Sequence, residues 1–148
     1  MRAEQDAAAA VVDAYLDAEL AAQAFAAVHR DPGLGGPTWY VRLAGEAKEW
    51  TTIWFALGDV TLSFEHYFMP PPEENVAHTY RLLLAANHRM RGAAFTVGPE
   101  GDVYLRGHLD REAVTAESVD RAVGIVWEAV ERWFRAALRS GFASRVPA

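Results

Sequence analysis

The strongest constraint on the fold is a run of side chains that alternates between apolar and polar over residues 60–69. Successive side chains of a β-strand point to opposite faces, so this pattern predicts a strand with one face toward a core. The apolar side holds Val60, Leu62, Phe64 and Phe68, and the polar side holds Thr61, Ser63, Glu65 and Tyr67. Pro70-Pro71-Pro72 then ends the strand, because proline cannot donate a hydrogen bond to a neighbouring strand. The chain must therefore build a sheet with two unlike faces.

Four further runs extend this sheet. "TWYVRLAG" and "EWTTIWFALG" precede the alternating run, and Gly58-Asp59 predicts a two-residue hairpin turn of the primed type before it. After the prolines, "AAFTVG" and "DVYLRGHL" flank a turn at Pro99-Glu100-Gly101. Strands joined by short turns pair in opposite directions, so the sequence predicts one antiparallel sheet.

Three amphipathic runs predict helices. The first, from about Glu4 to His29, is rich in alanine, and "RDPGLGGPT" follows it as a flexible linker. The second runs from about Glu73 to Met90, and Arg91-Gly92 closes it because glycine suits the left-handed cap position. The third opens near Thr115 and ends at Gly141.

The resulting element order is α-β-β-β-α-β-β-α. It indicates an α+β fold with a single antiparallel sheet that helices cover on at least one face. We expect one domain over residues 1–148, in which residues 1–38 form the N-terminal helix and the linker.

Composition and charge exclude several classes of protein. Hydrophobic residues make up 51% of the 148 residues and charged residues 23%, which is typical of a globular domain. The absence of cysteine excludes disulfides and thiolate metal sites. A net charge of −6 and scattered arginines argue against a nucleic-acid partner. The longest apolar stretch is too short for a membrane span, and acidic residues interrupt the opening segment, so we expect a cytoplasmic protein with no membrane partner.

A search for catalytic or metal-binding patterns yields none. The five histidines lack the spacing of ligands on one element, and the parity of His66 and His108 puts them on opposite faces of the sheet. None of the four serines lies in a nucleophile elbow. We therefore expect no catalytic residue, no metal and no cofactor, and we expect that the protein is not an enzyme. The amide of Asn87, in an apolar helical stripe, is expected to bond nearby backbone and hold its helix against the following hairpin.

The informative feature is the contrast between the two sheet faces. Parity assigns these residues to the core face: Val41, Leu43, Ile53, Phe55, Leu57, Leu62, Phe64, Phe68, Phe95, Val97, Val103 and Leu105. It assigns these to the opposite face: Tyr40, Arg42, Trp50, Thr52, Trp54, Glu65, Tyr67, Tyr104, Arg106 and His108. Mixed aromatic and polar side chains are enriched in protein interfaces. We expect cover from the first helix, a second copy of the chain or a foreign peptide.

An ordered series of short motifs resembles the YbjN-like domain of actinobacterial proteins. The series comprises the tryptophan-containing second strand, "GDVTLS", "EEN", "YRLLLAAN", "GDVYL" and "VTAESVDRAVG", and it covers residues 39–142. The resemblance implies the fold of type III secretion chaperones, which has this element order and often forms homodimers. It implies no catalytic residues and no secretion pathway.

Together these observations predict a non-enzymatic protein-binding module, a chaperone-like adaptor or regulator that acts through its sheet face. The predicted binding residues are Tyr40, Trp50, Trp54, Tyr67 and Tyr104, and the predicted partner is another protein or a second copy in a homodimer. The alternative is a small-ligand sensor with a pocket between sheet and helices, to which Asn87, His66 or Tyr80 would supply polar contacts.

Overall fold

The part of the chain described by the computed structural model, residues 2–33 and 35–146, contains one antiparallel sheet of six strands. Side chains are described from Ala7 onward. The strands are β1 (Ala27–Asp31), β2 (Thr38–Ala44), β3 (Trp50–Leu57), β4 (Thr61–Met69), β5 (Ala94–Val97) and β6 (Val103–Asp110). Their spatial order is β1-β2-β3-β4-β6-β5, so β1 and β5 are the edges.

Helices pack on one face of this sheet. They are α1 (Arg2–Ala21), α2 (Val76–Arg89) and α3 (Ala116–Gly141), with a short 3₁₀ turn at Arg111–Ala113 before α3. The central helix, α3, packs against β3, β4 and β6, while α1 lies beside β1 and α2 beside β5. Among the described residues, no helix combines the length and the apolar character that crossing a bilayer requires.

The N-terminus of α3 is fixed by a reciprocal cap. The backbone N–H of Ser118 donates to the Thr115 hydroxyl at 3.0 Å, and the Thr115 N–H donates to the Ser118 hydroxyl at 2.8 Å. Two otherwise unpaired donors of the first helical turn are thus satisfied. The predicted start of this helix near Thr115 is confirmed.

The core lies between the sheet and the helices. From the sheet it takes Trp39, Val41, Ile53, Phe55, Leu62, Phe64, Phe68, Val103 and Leu105, and from the helices Val12, Leu16, Val119, Val126 and Val130, all at most 2% exposed. Polar bonds at its margin join α1 to the rest: the Trp39 indole N–H donates to Asp13 at 2.8 Å, and the Tyr15 hydroxyl donates to Asp120 at 2.5 Å. Burial, reinforced by the Asp120 carboxylate, raises the pKa of Tyr15 and keeps it neutral.

The predicted α+β fold with one antiparallel sheet is confirmed, but the element order gains a strand and becomes α-β-β-β-β-α-β-β-α. The first helix ends at Ala21, so its predicted extension to His29 is wrong. Gln23 takes a left-handed conformation with φ 64°, and residues 27–31 then pair with β2. High helix propensity in this alanine-rich segment is outweighed by the ladder of hydrogen bonds to β2.

Two predicted details of the hairpins are also wrong. Neither Gly58 nor Asp59 has the positive φ of the predicted primed turn, and the Gly58 backbone N–H donates to the Thr61 carbonyl at 2.9 Å, so the turn centres on Asp59 and Val60. Val60 consequently lies in the turn and is 73% exposed instead of buried.

Val97, assigned to the core by parity, is 55% exposed because β5 is an edge strand that ends there. Positive φ values at Gly92 (83°) and Gly101 (92°) match the conformations that their turns require.

Candidate functional site: an aromatic sheet face

The sheet face opposite the helices is open. Burial alternates strictly along β2 and β3, and the less buried positions carry the predicted aromatic and polar side chains. Trp50 and Trp54 are 41% and 36% exposed, whereas their neighbours Thr51, Ile53 and Phe55 are completely buried. Helix α1, one of the expected covers, packs beside α3 on the core side. We call this surface the open sheet face, and within the described residues it has no helical cover.

One aromatic group lies at the β1 end of the open sheet face. Tyr40 on β2 is directly opposite Trp54 on β3, and their rings meet edge to face with centroids 5.8 Å apart. On the other side of Tyr40, the His29 ring of β1 stacks at 5.8 Å. Three neighbouring strands therefore contribute one continuous row of rings.

A second aromatic group lies between β4 and β6. Tyr67 and Tyr104 are directly opposite, and their rings meet edge to face at 5.5 Å. The Tyr67 hydroxyl donates to the Asp102 carboxylate at 2.6 Å. That hydrogen bond, with smaller contributions from desolvation and from the charge of Asp102, raises the pKa of Tyr67 to about 12. Tyr67 is thus a neutral, oriented donor.

Trp50 stands apart from both groups, at the start of β3. It lies four residues from Trp54, which is about 13 Å along a strand. The Arg42 guanidinium lies over its ring at 5.6 Å from the centroid, a cation–π geometry. The five predicted binding residues therefore share the open sheet face but fall into three separate places: Tyr40 with Trp54, Tyr67 with Tyr104, and Trp50 alone. Glu65 and Arg106, directly opposite each other on β4 and β6, lie on the same face.

An open groove of about 540 Å³ follows the β1–β3 end of this face. Its lining includes Ala27, His29, Tyr40, Arg42, Thr52 and Trp54. The sequence does not indicate His29, because the alanine-rich segment that leads into it predicts a helix up to this residue. The signal that could have found it is "DPG" at residues 31–33, which is typical of a turn between two strands.

A buried polar pair lies on the other side of the sheet. His66, 3% exposed, places its Nδ1 at 2.8 Å from the Thr52 carbonyl oxygen and its Nε2 at 3.0 Å from the Lys48 Nζ. A carbonyl can only accept and an ammonium can only donate, so His66 is neutral with its proton on Nδ1. Lys48 also donates to the Tyr67 carbonyl at 2.9 Å.

Burial dominates the titration of this pair. Desolvation, and secondly the charge of Lys48, lower the pKa of His66 to about 4 against an opposing hydrogen bond to Thr52. Desolvation lowers the pKa of Lys48 to about 8. The sequence placed His66 correctly on the core side but gave no sign of Lys48, because nothing local shows that a turn lysine folds inward.

The turn that carries Lys48 is fixed to α3. The backbone N–H groups of Glu46 and Ala47 donate to the Glu131 carboxylate at 3.0 and 3.2 Å. The Arg135 guanidinium donates to the Glu46 carbonyl at 2.9 Å. These hydrogen bonds fix the position of the turn, so the contact between Lys48 and His66 is explained by the fold and not by a catalytic role.

The residues proposed for a ligand pocket are only partly brought together. Tyr80 and Asn87 line an apolar groove of about 300 Å³ between α2 and β5, but His66 is not among its lining residues. Both amide atoms of Asn87 are engaged by Phe95: the side chain donates to its carbonyl at 3.1 Å and accepts from its N–H at 2.6 Å. The expected structural role of Asn87 is confirmed.

Within the described residues, no three histidine, aspartate or glutamate side chains converge as a metal-ligand set. No geometry in this part of the chain assigns a cofactor.

Comparison with known proteins gives consistent matches. The YbjN family, described as "Putative bacterial sensory transduction regulator", matches residues 8–139. An uncharacterized protein of Mycobacterium tuberculosis and one of Mycobacterium bovis are each 37% identical over 118 residues, 80% of this chain and 64% of the relative. One from Mycobacterium leprae is 34% identical over 106 residues, 72% of this chain and 58% of the relative. The chain thus spans less than two thirds of the length of these curated relatives.

Proposed function

The chain belongs to the YbjN family, and from that premise we propose that it is a non-enzymatic protein-binding module, a chaperone-like adaptor or regulator that acts through its open sheet face. The proposed occupant of that face is a second copy of this chain, so that the working form is a homodimer. The binding residues are Tyr40, Trp50, Trp54, Tyr67 and Tyr104. A cytoplasmic location, with neither membrane nor nucleic acid as a partner, belongs to the same proposal.

The observation that carries the proposal is the exposure of Trp50 and Trp54 on an otherwise ordered strand face. A tryptophan side chain offers roughly 250 Å², so exposed fractions of 41% and 36% leave about 90–100 Å² on each. At about 25 cal/mol per Å², covering both is worth about 5 kcal/mol per copy before the cost of association is subtracted. Aromatic residues in such positions dominate binding energy in interfaces.

The size of the face suits a second copy. Six strands about 4.8 Å apart and about seven residues long at 3.3 Å span roughly 24 by 23 Å, or about 550 Å² in projection. Side-chain relief increases the accessible area above this value. The result lies near the lower end of stable interfaces, which bury about 600 Å² or more per partner.

The charges of the face suit self-association as well. A two-fold symmetric contact places the same patch on both sides, so the patch must be complementary to itself. The open sheet face carries Arg42 and Arg106 together with Glu65, so each copy offers both signs of charge. A partner patch of one sign alone would leave at least one of these three groups unpaired.

The test is sedimentation velocity of the wild type and the Trp50→Ala/Trp54→Ala double variant. Two hot-spot residues from each copy are removed, so we expect the dimer dissociation constant to rise at least about hundredfold. Far-UV circular dichroism should be unchanged, because both side chains lie outside the core. Leu84→Ala is the control: Leu84 is 66% exposed on α2, which packs on the helical side of the sheet, and its loss should leave association unchanged.

Two results would overturn the assigned occupant. If the double variant dimerises like the wild type, the open sheet face is not the interface. If the wild type is monomeric but captures displayed peptides through Trp50 and Trp54, the face binds a foreign polypeptide and the homodimer is wrong.

A further inference from the structure

A groove lined by arginines lies between the end of α2 and the outer side of α3, away from the open sheet face. Arg89, Arg91, Arg121 and Arg132 border it, and its volume is about 260 Å³. We call it the arginine groove.

The fold concentrates positive charge here although the chain as a whole carries a net charge of −6. The salt bridges of the described residues involve Arg30 with Asp13 and Arg145 with Glu73, and none involves the four groove arginines. Glu128 is the acidic residue among those that line the groove. Four guanidinium groups against one carboxylate leave an excess of positive charge whose self-repulsion an anion would relieve.

Two elements build the groove from opposite sides. On α3, Arg121, Glu128 and Arg132 recur at helical spacing and so share one side of the helix. The opposite side comes from the last turn of α2 and the residues that follow it. Gly92, with φ 83°, lets the chain turn there so closely that an added Cβ would lie 3.3 Å from the Ile125 Cδ1 on α3. The groove arginines therefore meet because the end of α2 packs against α3, and not because they are neighbours in the sequence.

The base of the groove is apolar. Met90, Ile125, Ala129 and Trp133 contribute to its lining. The Arg132 guanidinium lies over the Trp133 ring at 5.0 Å from the centroid, and that ring is held edge to face against Phe95 at 6.1 Å. This contact orients one arginine at the rim while the ring itself is fixed by the core.

We propose that the arginine groove binds a small phosphate-bearing molecule, whose phosphate oxygens accept paired hydrogen bonds from the groove arginines and whose organic part rests on the apolar base. Guanidinium groups recognise phosphate through two parallel N–H donors, which an ammonium group cannot offer. A volume of about 260 Å³ suits a compact ligand better than an extended acidic peptide. The site provides a place for a small ligand that is separate from the open sheet face.

The experiment is isothermal titration calorimetry with inorganic pyrophosphate as the probe, at constant ionic strength. We expect saturable one-to-one binding to the wild type. Arg121→Ala/Arg132→Ala should weaken binding at least about tenfold, because charge-assisted hydrogen bonds are lost. Arg139→Ala is the matched control, since Arg139 is exposed on α3 but outside the groove, and its affinity should change less than about twofold.

Three outcomes would overturn the inference. One is the absence of saturable pyrophosphate binding to the folded wild type. Another is equal weakening by Arg139→Ala, which would indicate a diffuse charge effect. The third is tighter binding of a polyglutamate peptide than of pyrophosphate with the same dependence on Arg121 and Arg132, which would assign the groove to an acidic polypeptide. Circular dichroism of each variant ensures that loss of fold is not mistaken for loss of binding.

Discussion

Mild acid should destabilise this protein through one buried residue, His66. The ring is held neutral between the Thr52 carbonyl, to which it donates, and the Lys48 ammonium, from which it accepts. A second proton would have to sit on Nε2, where it would face the Lys48 ammonium in a site only 3% exposed. Protonation therefore breaks a hydrogen bond and places two positive charges in contact.

The magnitude follows from the two pKa values. Burial, then the Lys48 charge, lowers the pKa of His66 from its ordinary value of 6.5 to about 4. Between these values the unfolded chain binds more protons than the folded one, so the free energy of unfolding falls as pH falls. At about 1.4 kcal/mol per pH unit, the loss between pH 6.5 and pH 4 reaches about 3 kcal/mol. For a domain of this size that corresponds to a melting temperature lower by roughly 6–12 °C.

The assay is urea unfolding followed by circular dichroism at several pH values between 6.5 and 4, for the wild type and His66→Gln. Glutamine keeps a donor and an acceptor but does not titrate in this range. Carboxylates contribute to acid unfolding in both proteins, so their effect cancels in the difference. We expect the wild type to lose about 3 kcal/mol more than the variant over this interval.

Parallel pH profiles for the two proteins would refute the reasoning. They would mean that His66 titrates alike in the folded and unfolded states, either because water reaches Nε2 or because Lys48 moves away. A second variant measures how much the Lys48 charge contributes to the shift. Lys48→Met removes the facing charge and should reduce the acid sensitivity only in part, since desolvation is the larger cause.

Two glycine substitutions test, respectively, close packing in the sheet and helix propensity. Gly107→Ala would place its methyl carbon under 3.0 Å from both the Gly92 carbonyl oxygen and the Phe64 ring, so we expect a loss of about 3 kcal/mol in urea unfolding. Gly124→Ala, in the middle of α3 with no neighbouring atom within 4 Å of the added carbon, should instead stabilise by about 1 kcal/mol. Asn87→Ala removes both hydrogen bonds to the Phe95 backbone and should cost about 2 kcal/mol, with faster hydrogen exchange at the Phe95 amide. Unchanged exchange there would show that β5 does not depend on Asn87.

The two-faced sheet could be predicted from sequence because the period of two is a local property. Along β3, apolar residues such as Ile53 and Phe55 alternate with Thr52 and Trp54, and any strand conformation sends them to opposite sides. Strand β1 could not be predicted in the same way. Its five residues follow directly on an alanine-rich segment that favours helix and do not alternate between apolar and polar, and the ladder with β2, a tertiary contact, makes them extended.

The candidate sites likewise divide into features that a local pattern reveals and features that depend on tertiary contacts. The open sheet face follows from parity, and the structure adds that no described helix covers it. How its rings group does not follow from parity, because pairing such as that of Tyr67 with Tyr104 depends on the register of strands far apart in the chain. Lys48 and the arginine groove were missed for the same reason. Their partners come from other elements, and no local pattern reveals them.

The position of β4 beside β6 divides the molecule along a central seam. Strands β1 to β4 form a meander, in which neighbours in the sheet are also neighbours in sequence, and β5 and β6 form a hairpin. The seam is the pairing of β4 with β6, and it joins residues roughly 35 to 50 positions apart in the chain. Closing such a loop is slow compared with forming either half, so we expect this pairing to set the pace of folding. Until it closes, the β4 and β6 edges that later lie side by side are both unpaired. That interval is when a nascent chain is most exposed to strand exchange with a neighbouring copy.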